Sequence, residues 1–202
     1  MEEYISSTIK KYSEERREEE ITQLILENLP NIHVWVNLSI DIQKEFGTEK
    51  LESHLKEKKY EEILKFKLRD CFKGLTNEYL SKATGIIISS GNPFELIACP
   101  CCGYKTLERR NKFEICKICW WEDNGQDNSN ADEVWGESNF RVSLTQARYF
   151  YLTFGIYNPE QINLKKIQEE PNKYAIGRTF EIEGEHIIEK TENWSGKVKT
   201  KR

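Results

Sequence analysis

Cys99-Pro100-Cys101-Cys102-Gly103 and, thirteen residues on, Cys116-Lys117-Ile118-Cys119 decide how this chain is read. Each is a C-x2-C turn that aims two sulfurs at one point, and two such turns facing each other supply four thiolates in a tetrahedron. That is the geometry Zn²⁺ takes in closed structural sites. The spacing selects Cys99, Cys102, Cys116 and Cys119 as ligands of one structural zinc. The intervening stretch suits two short strands and a turn, with Tyr104 to Leu107 rising, Arg109 to Lys112 turning and Phe113 to Ile115 returning. Gly103 fits the backbone that closes the first knuckle. Trp120, in the equivalent place, does not, so the second knuckle is expected to be less regular.

Cys101 is left over. Adjacent to Cys102, it cannot easily reach the same metal, and it reads as a small buried apolar residue or as a thiol beside the site. Two disulfides are the competing reading of the other four cysteines. The reduced compartment that the rest of the sequence suggests argues against them.

The chain has 202 residues, 32% of them charged, and a net charge of −4. This is one ordinary domain or two small ones, without the basic balance expected of a nucleic-acid binder. The start, Met1-Glu2-Glu3-Tyr4, leads into no apolar stretch of signal-peptide type, and no run approaches membrane-spanning length. A cytoplasmic protein is expected.

Residues 2–29 read as helix, and the run Glu14 to Glu20 reads as a solvated face or a break between two helices. Residues 32–42 alternate strictly, which argues for a strand, though Val34, Leu38 and Ile42 also fit a helix. Helix returns from Thr48. Tyr60, Ile63, Leu64, Leu68, Cys71 and Phe72 form an apolar stripe that makes Cys71 core, and Gly74 ends it. Ile86 to Ile88 reads as a short buried strand and Ser89 to Pro93 as a linker. Ser143 and Gln146 make a capping box for a helix that Gly155 stops, with Leu144, Ala147, Tyr151 and Phe154 facing the ribbon. Gln161 to Glu169 reads as a short helix ended by Pro171. Tyr174 to Ile188 is strand-like with a turn at Gly184, and a polar, basic tail follows from Thr191.

From Trp121 to Glu137 inclusive there are six acids and no Lys or Arg. Asp, Asn, Gly and Ser make this stretch a long loop. Its acids cap turns and the next helix, bind a second cation, or meet a basic partner. The cation reading lacks the D-x-D-x-D-G spacing. On the partner reading, the contact residues are Glu122, Asp123, Asp127, Asp132, Glu133 and Trp135. Trp121 is a further anchor or, equally, core. His33, His54 and His186 are scattered. No phosphate loop, G-x-S-x-G or H-E-x-x-H occurs, and a zinc held by four thiolates has no open position for water. No enzyme is expected.

Cys99 to Leu107, Glu114-Ile115-Cys116 with Cys119, Trp121-Glu122-Asp123, Gly125-Gln126, Ser143-Leu144 and Ala147-Arg148 together resemble the bacterial cysteine-rich CPCC family over about residues 95–155. The family usually has Pro where this chain has Lys117. The resemblance implies a small cytosolic protein of the kind encoded beside secreted polymorphic toxins, hence an immunity role. Two function classes follow. The first is a protein that binds and neutralises a cognate toxin, a basic one given the acidic chain, with the zinc module as scaffold and the acidic loop or the N-terminal helices as contact surface. The second is a zinc-ribbon nucleic-acid-binding or regulatory protein using Arg109, Arg110 and Lys112 with Lys105 and Lys117. The fold expected is α+β. A mainly helical region (residues 1–92) precedes a small zinc-ribbon-like β module with a packed helix (93–170), and a short β-like extension with a tail (171–202) follows.

Overall fold

The computed structural model describes residues 2–11, 13, 15–17, 19–21, 23, 39–45, 58–85, 87–88 and 95–190. Readings that fall elsewhere lie outside the described residues. These are the alternation over 32–38, the helix start at Thr48, the linker at 89–93, the tail from Thr191, and His33 and His54. The chain divides into two compact units, Met1–Lys73 and Gly74–Arg202.

The first unit is helical. Helix α1 (Glu2–Lys10) sets Ile5 and Ile9 one turn apart on one face. The chain breaks at Ser13, whose hydroxyl accepts the Arg16 N–H at 3.2 Å, so a second helical stretch starts within the charge run. Helix α2 (Ile40–Glu45) follows, then α3 (Glu61–Cys71). Ile5, Ile9, Ile21, Ile42, Tyr60, Ile63, Leu64 and Leu68 form one core, with Phe72 packed against it. Two expectations are corrected here. Residues 40–42 are helix rather than strand: Glu62 accepts the Ser39 N–H at 2.9 Å, fixing the entry of α2, and the turn buries Ile42 while leaving Ile40 exposed. Cys71 lies exposed, because Phe72 takes the place in the core that the stripe offered to both.

The second unit begins at Gly74, whose positive φ of 78° stops the preceding helix and whose missing side chain makes room for Leu96. Helix α4 (Asn77–Thr84) is capped by Thr76 and closed by Gly85. Ile87 is exposed and in no strand, so the buried strand expected there does not form; Ser81 Oγ accepts the Ile88 N–H instead. Strands β1 (Ile97–Ala98) and β2 (Lys105–Leu107) pair antiparallel. Tyr174 and Ile176 run beside them through bridges to Leu75 and Tyr104. Helix α5 (Leu144–Phe154) has the expected capping box and ends at Gly155. It buries Leu144, Ala147 and Arg148, while Phe154 is exposed, because the last turn of α5 extends past its packing surface. Two 3₁₀ segments, Pro159–Ile167 and Pro171–Lys173, replace the short helix expected after it. Strands β3 (Phe180–Glu183) and β4 (His186–Glu189) form a hairpin turning at Gly184, and α5 packs on it. The architecture is mixed helix and small antiparallel sheets, with a small zinc-ribbon-like module in the second unit. Among the described residues no helix is long and apolar enough to cross a membrane.

Candidate metal centre

The two knuckles have the same backbone design. In the first, Gly103 N–H donates to the Cys99 carbonyl and Cys99 N–H to the Tyr104 carbonyl, both at 2.9 Å. In the second, Trp120 N–H donates to the Cys116 carbonyl and Cys116 N–H to the Trp121 carbonyl, again at 2.9 Å. Gly103 has φ 82° and Trp120 φ 69°. The expected irregularity is therefore absent: Trp120 is held in the left-handed region because the knuckle's two hydrogen bonds and the packed neighbours on either side outweigh a local cost of about 1–2 kcal/mol.

Gly103 also ties the first knuckle to the rest of the unit. Its carbonyl accepts from Gly177 N–H at 2.9 Å and Arg178 N–H at 3.1 Å, and a Cβ here would run into the Arg178 carbonyl. The second knuckle is tied by Tyr157 N–H on the Cys119 carbonyl and Glu169 N–H on the Lys117 carbonyl, both 3.0 Å.

These ties bring four sulfurs together. Cys99 Sγ lies 3.6 Å from Cys119 Sγ, and Cys102 Sγ lies 3.6 Å from Cys116 Sγ. All four lie within 4.8 Å of one another and are buried, and no disulfide joins them. A tetrahedron of about 2.3 Å metal–sulfur bonds has edges of about 3.8 Å, so the set fits a single ion. Thr106 Oγ1 donates to Cys116 Sγ at 3.0 Å. Burial pushes the Cys99, Cys102 and Cys119 thiols up. Burial acts on Cys116 too, but donation from Cys102, Cys119, Cys99 and Thr106 outweighs it and holds that thiol well below its ordinary range. A cation among the four sulfurs would favour ionisation of all of them.

Residues 97–173 match the family model described as Cysteine-rich CPCC. The matched stretch, which holds all four sulfurs, resembles a cysteine-rich CPCC module. No curated protein and no solved structure matches the chain.

Around the four-cysteine site the acid-rich loop is used in two ways. Asp123 and Asp127 turn inward, contrary to their reading as contact residues. Asp123 is fully buried and accepts from Arg110 Nε at 3.0 Å and Asn111 N–H at 2.7 Å. Asp127 accepts from Arg110 Nη1 and pairs with Arg178 Nη2, both at 2.9 Å. The backbone N–H and C=O of Glu122 are both bound by the Asn139 side chain, at 2.8 and 2.9 Å, which satisfies both groups. Trp121 is core, edge-on to Tyr157 at 6.2 Å. Asp132, Glu133 and Trp135 remain at the surface. Asp132 accepts from Thr145 Oγ1 at 2.6 Å and Glu133 from Trp135 Nε1 at 2.7 Å.

The basic hairpin tip divides as well. Arg109 is exposed beside Glu114, but Arg110 is spent on Asp123 and Asp127. Lys105 pairs with Glu95 at 3.2 Å. His186 is exposed at the start of β4. Cys101 is buried, as expected of a packing residue. The sequence reading missed Arg178 and Glu189 altogether and had Arg148 only through the family resemblance. Their links run from 11 to 61 residues along the chain, so no local pattern announces them.

Proposed function

We propose that the chain is a non-catalytic binding protein of the immunity type, with one structural Zn²⁺ on Cys99, Cys102, Cys116 and Cys119, that neutralises a cognate secreted bacterial toxin. The closed set of four sulfurs supports a structural role for the metal, since it leaves no position for water or substrate. The observation that carries the binding role is the outer part of the acid-rich loop. Val134 (51% exposed) and Trp135 (38%) stand between Asp132, Glu133 and Glu137, all at the surface. Apolar anchors with an acidic rim suit a basic protein surface. The same acids, and the loss of Arg110 to internal pairing, weigh against a nucleic-acid ligand.

The toxin as partner rests on the family resemblance. The test is coexpression with a toxin encoded beside this gene. Wild type should rescue growth. Trp135→Ala combined with Glu133→Lys and Glu137→Lys should abolish rescue while the protein stays folded and metal-loaded. Full rescue by that variant would remove the loop from the contact. Absence of binding to the toxin, with salt-sensitive binding to RNA or DNA, would favour the nucleic-acid reading.

A further inference from the structure

A buried cation holds the turn that carries two of the four cysteines. Arg148, on α5, has a side chain only 5% exposed. Its Nε donates to the Pro100 carbonyl at 2.8 Å, inside the turn that carries Cys99 and Cys102. Its guanidinium lies 4.2 Å from the centre of the Phe180 ring, with Arg178 at 5.0 Å from the same ring.

The nearby carboxylates are taken by other arginines. Asp127 Oδ2 is held by Arg110 and Oδ1 by Arg178. Both Glu189 oxygens are held by Arg178 at 2.9 Å. Arg148 Nη2 stands 4.0 Å from Asp127 Oδ1, makes no hydrogen bond and is buried. Burying a charge without a close partner is costly. A dication on four thiolates is doubly negative and buried, and it carries the same cost with the opposite sign.

We propose that Arg148 is the counter-charge of the metal centre, holding the first knuckle by its backbone and offsetting the negative charge of the four metal-bound thiolates. Burial, then Arg178, pulls the guanidinium down to about 10, so it remains a cation at neutral pH. This proposal rests on the reading of the four cysteines as a metal site.

The test separates charge from hydrogen bonding. Arg148→Gln keeps a donor for Pro100 and loses the charge, and Arg148→Lys keeps the charge and loses the planar fork. Zn²⁺ affinity is measured on the full chain by competition with a chromophoric chelator, and Co²⁺ loading reports the sulfur-to-metal charge-transfer band. Arg148→Gln should bind Zn²⁺ about ten-fold or more weakly, with a shifted Co²⁺ band, and Arg148→Lys should recover most of the affinity. Wild-type affinity in Arg148→Gln, or equal loss in both variants, would overturn the proposal. If Arg148→Gln does not fold, the Lys variant decides alone: wild-type affinity supports the counter-charge and a ten-fold loss refutes it. A wild-type chain that binds no metal would instead overturn the metal site itself.

Discussion

Replacing Gly103 by Ala tests how the first knuckle is built. Gly103 has φ 82°, where an L-residue costs about 1 kcal/mol. The added Cβ would also collide with the Arg178 carbonyl, which is backbone and cannot swing aside. Relief requires residues 177–178 to move, and that breaks the two hydrogen bonds they donate to the Gly103 carbonyl. At about 1 kcal/mol each, these bring the expected loss to about 3 kcal/mol, a large share of the stability of a domain this size. Gly85→Ala is the reference. Its φ of 71° carries the same backbone cost, but nothing lies within 4 Å of the added atom, so it should lose only about 1 kcal/mol. The assay is urea unfolding of the metal-loaded chain, with metal release followed in parallel. Gly103→Ala should unfold at lower urea than Gly85→Ala and release metal sooner. Equal losses in the two variants would refute the claim that residues 177–178 close the first knuckle.

Cys101→Ala should keep the metal and cost little, whereas Cys102→Ala should lose it; equal metal loss from both, read by elemental analysis, would mean the first knuckle is misassigned. Stability should also depend on acid. Burial acts on Asp127 and Glu189, but Arg110, Arg178 and the Asn128 N–H outweigh it at Asp127, and Arg178, the Asn128 side chain and Arg148 outweigh it at Glu189, so both carboxyls sit below their ordinary range. Depressed carboxyls stabilise the fold above the ordinary range near about pH 4, and that contribution fades as pH falls through their folded values. A Tm series should therefore be flat above about pH 5 and fall below it, with Asp127→Asn showing a shallower decline; a matching decline in that variant would contradict the pairing.

Much of the metal module was legible because its signals are local. Four cysteines at x2 spacing, Ser143 with Gln146, Gly155 and the turn at Gly184 each act within a few residues. The rest depended on distant partners. Trp120 accepts a glycine-like backbone because the second knuckle demands it, which no propensity rule gives. Asp123 and Asp127 read as surface acids because Arg110 and Arg178, which neutralise them, lie 13 and 51 residues away. Residues 40–42 read as strand because Ile40 and Ile42 fit period two, and the cap that makes them helix comes from Glu62.

The central claim is that Cys99, Cys102, Cys116 and Cys119 hold one zinc. Native mass spectrometry of the full chain, purified without chelator, tests it most directly. One zinc per chain in wild type, and none in Cys116→Ser, is the expected result. Metal-free wild type, or a Cys116→Ser chain that keeps its zinc, would contradict it.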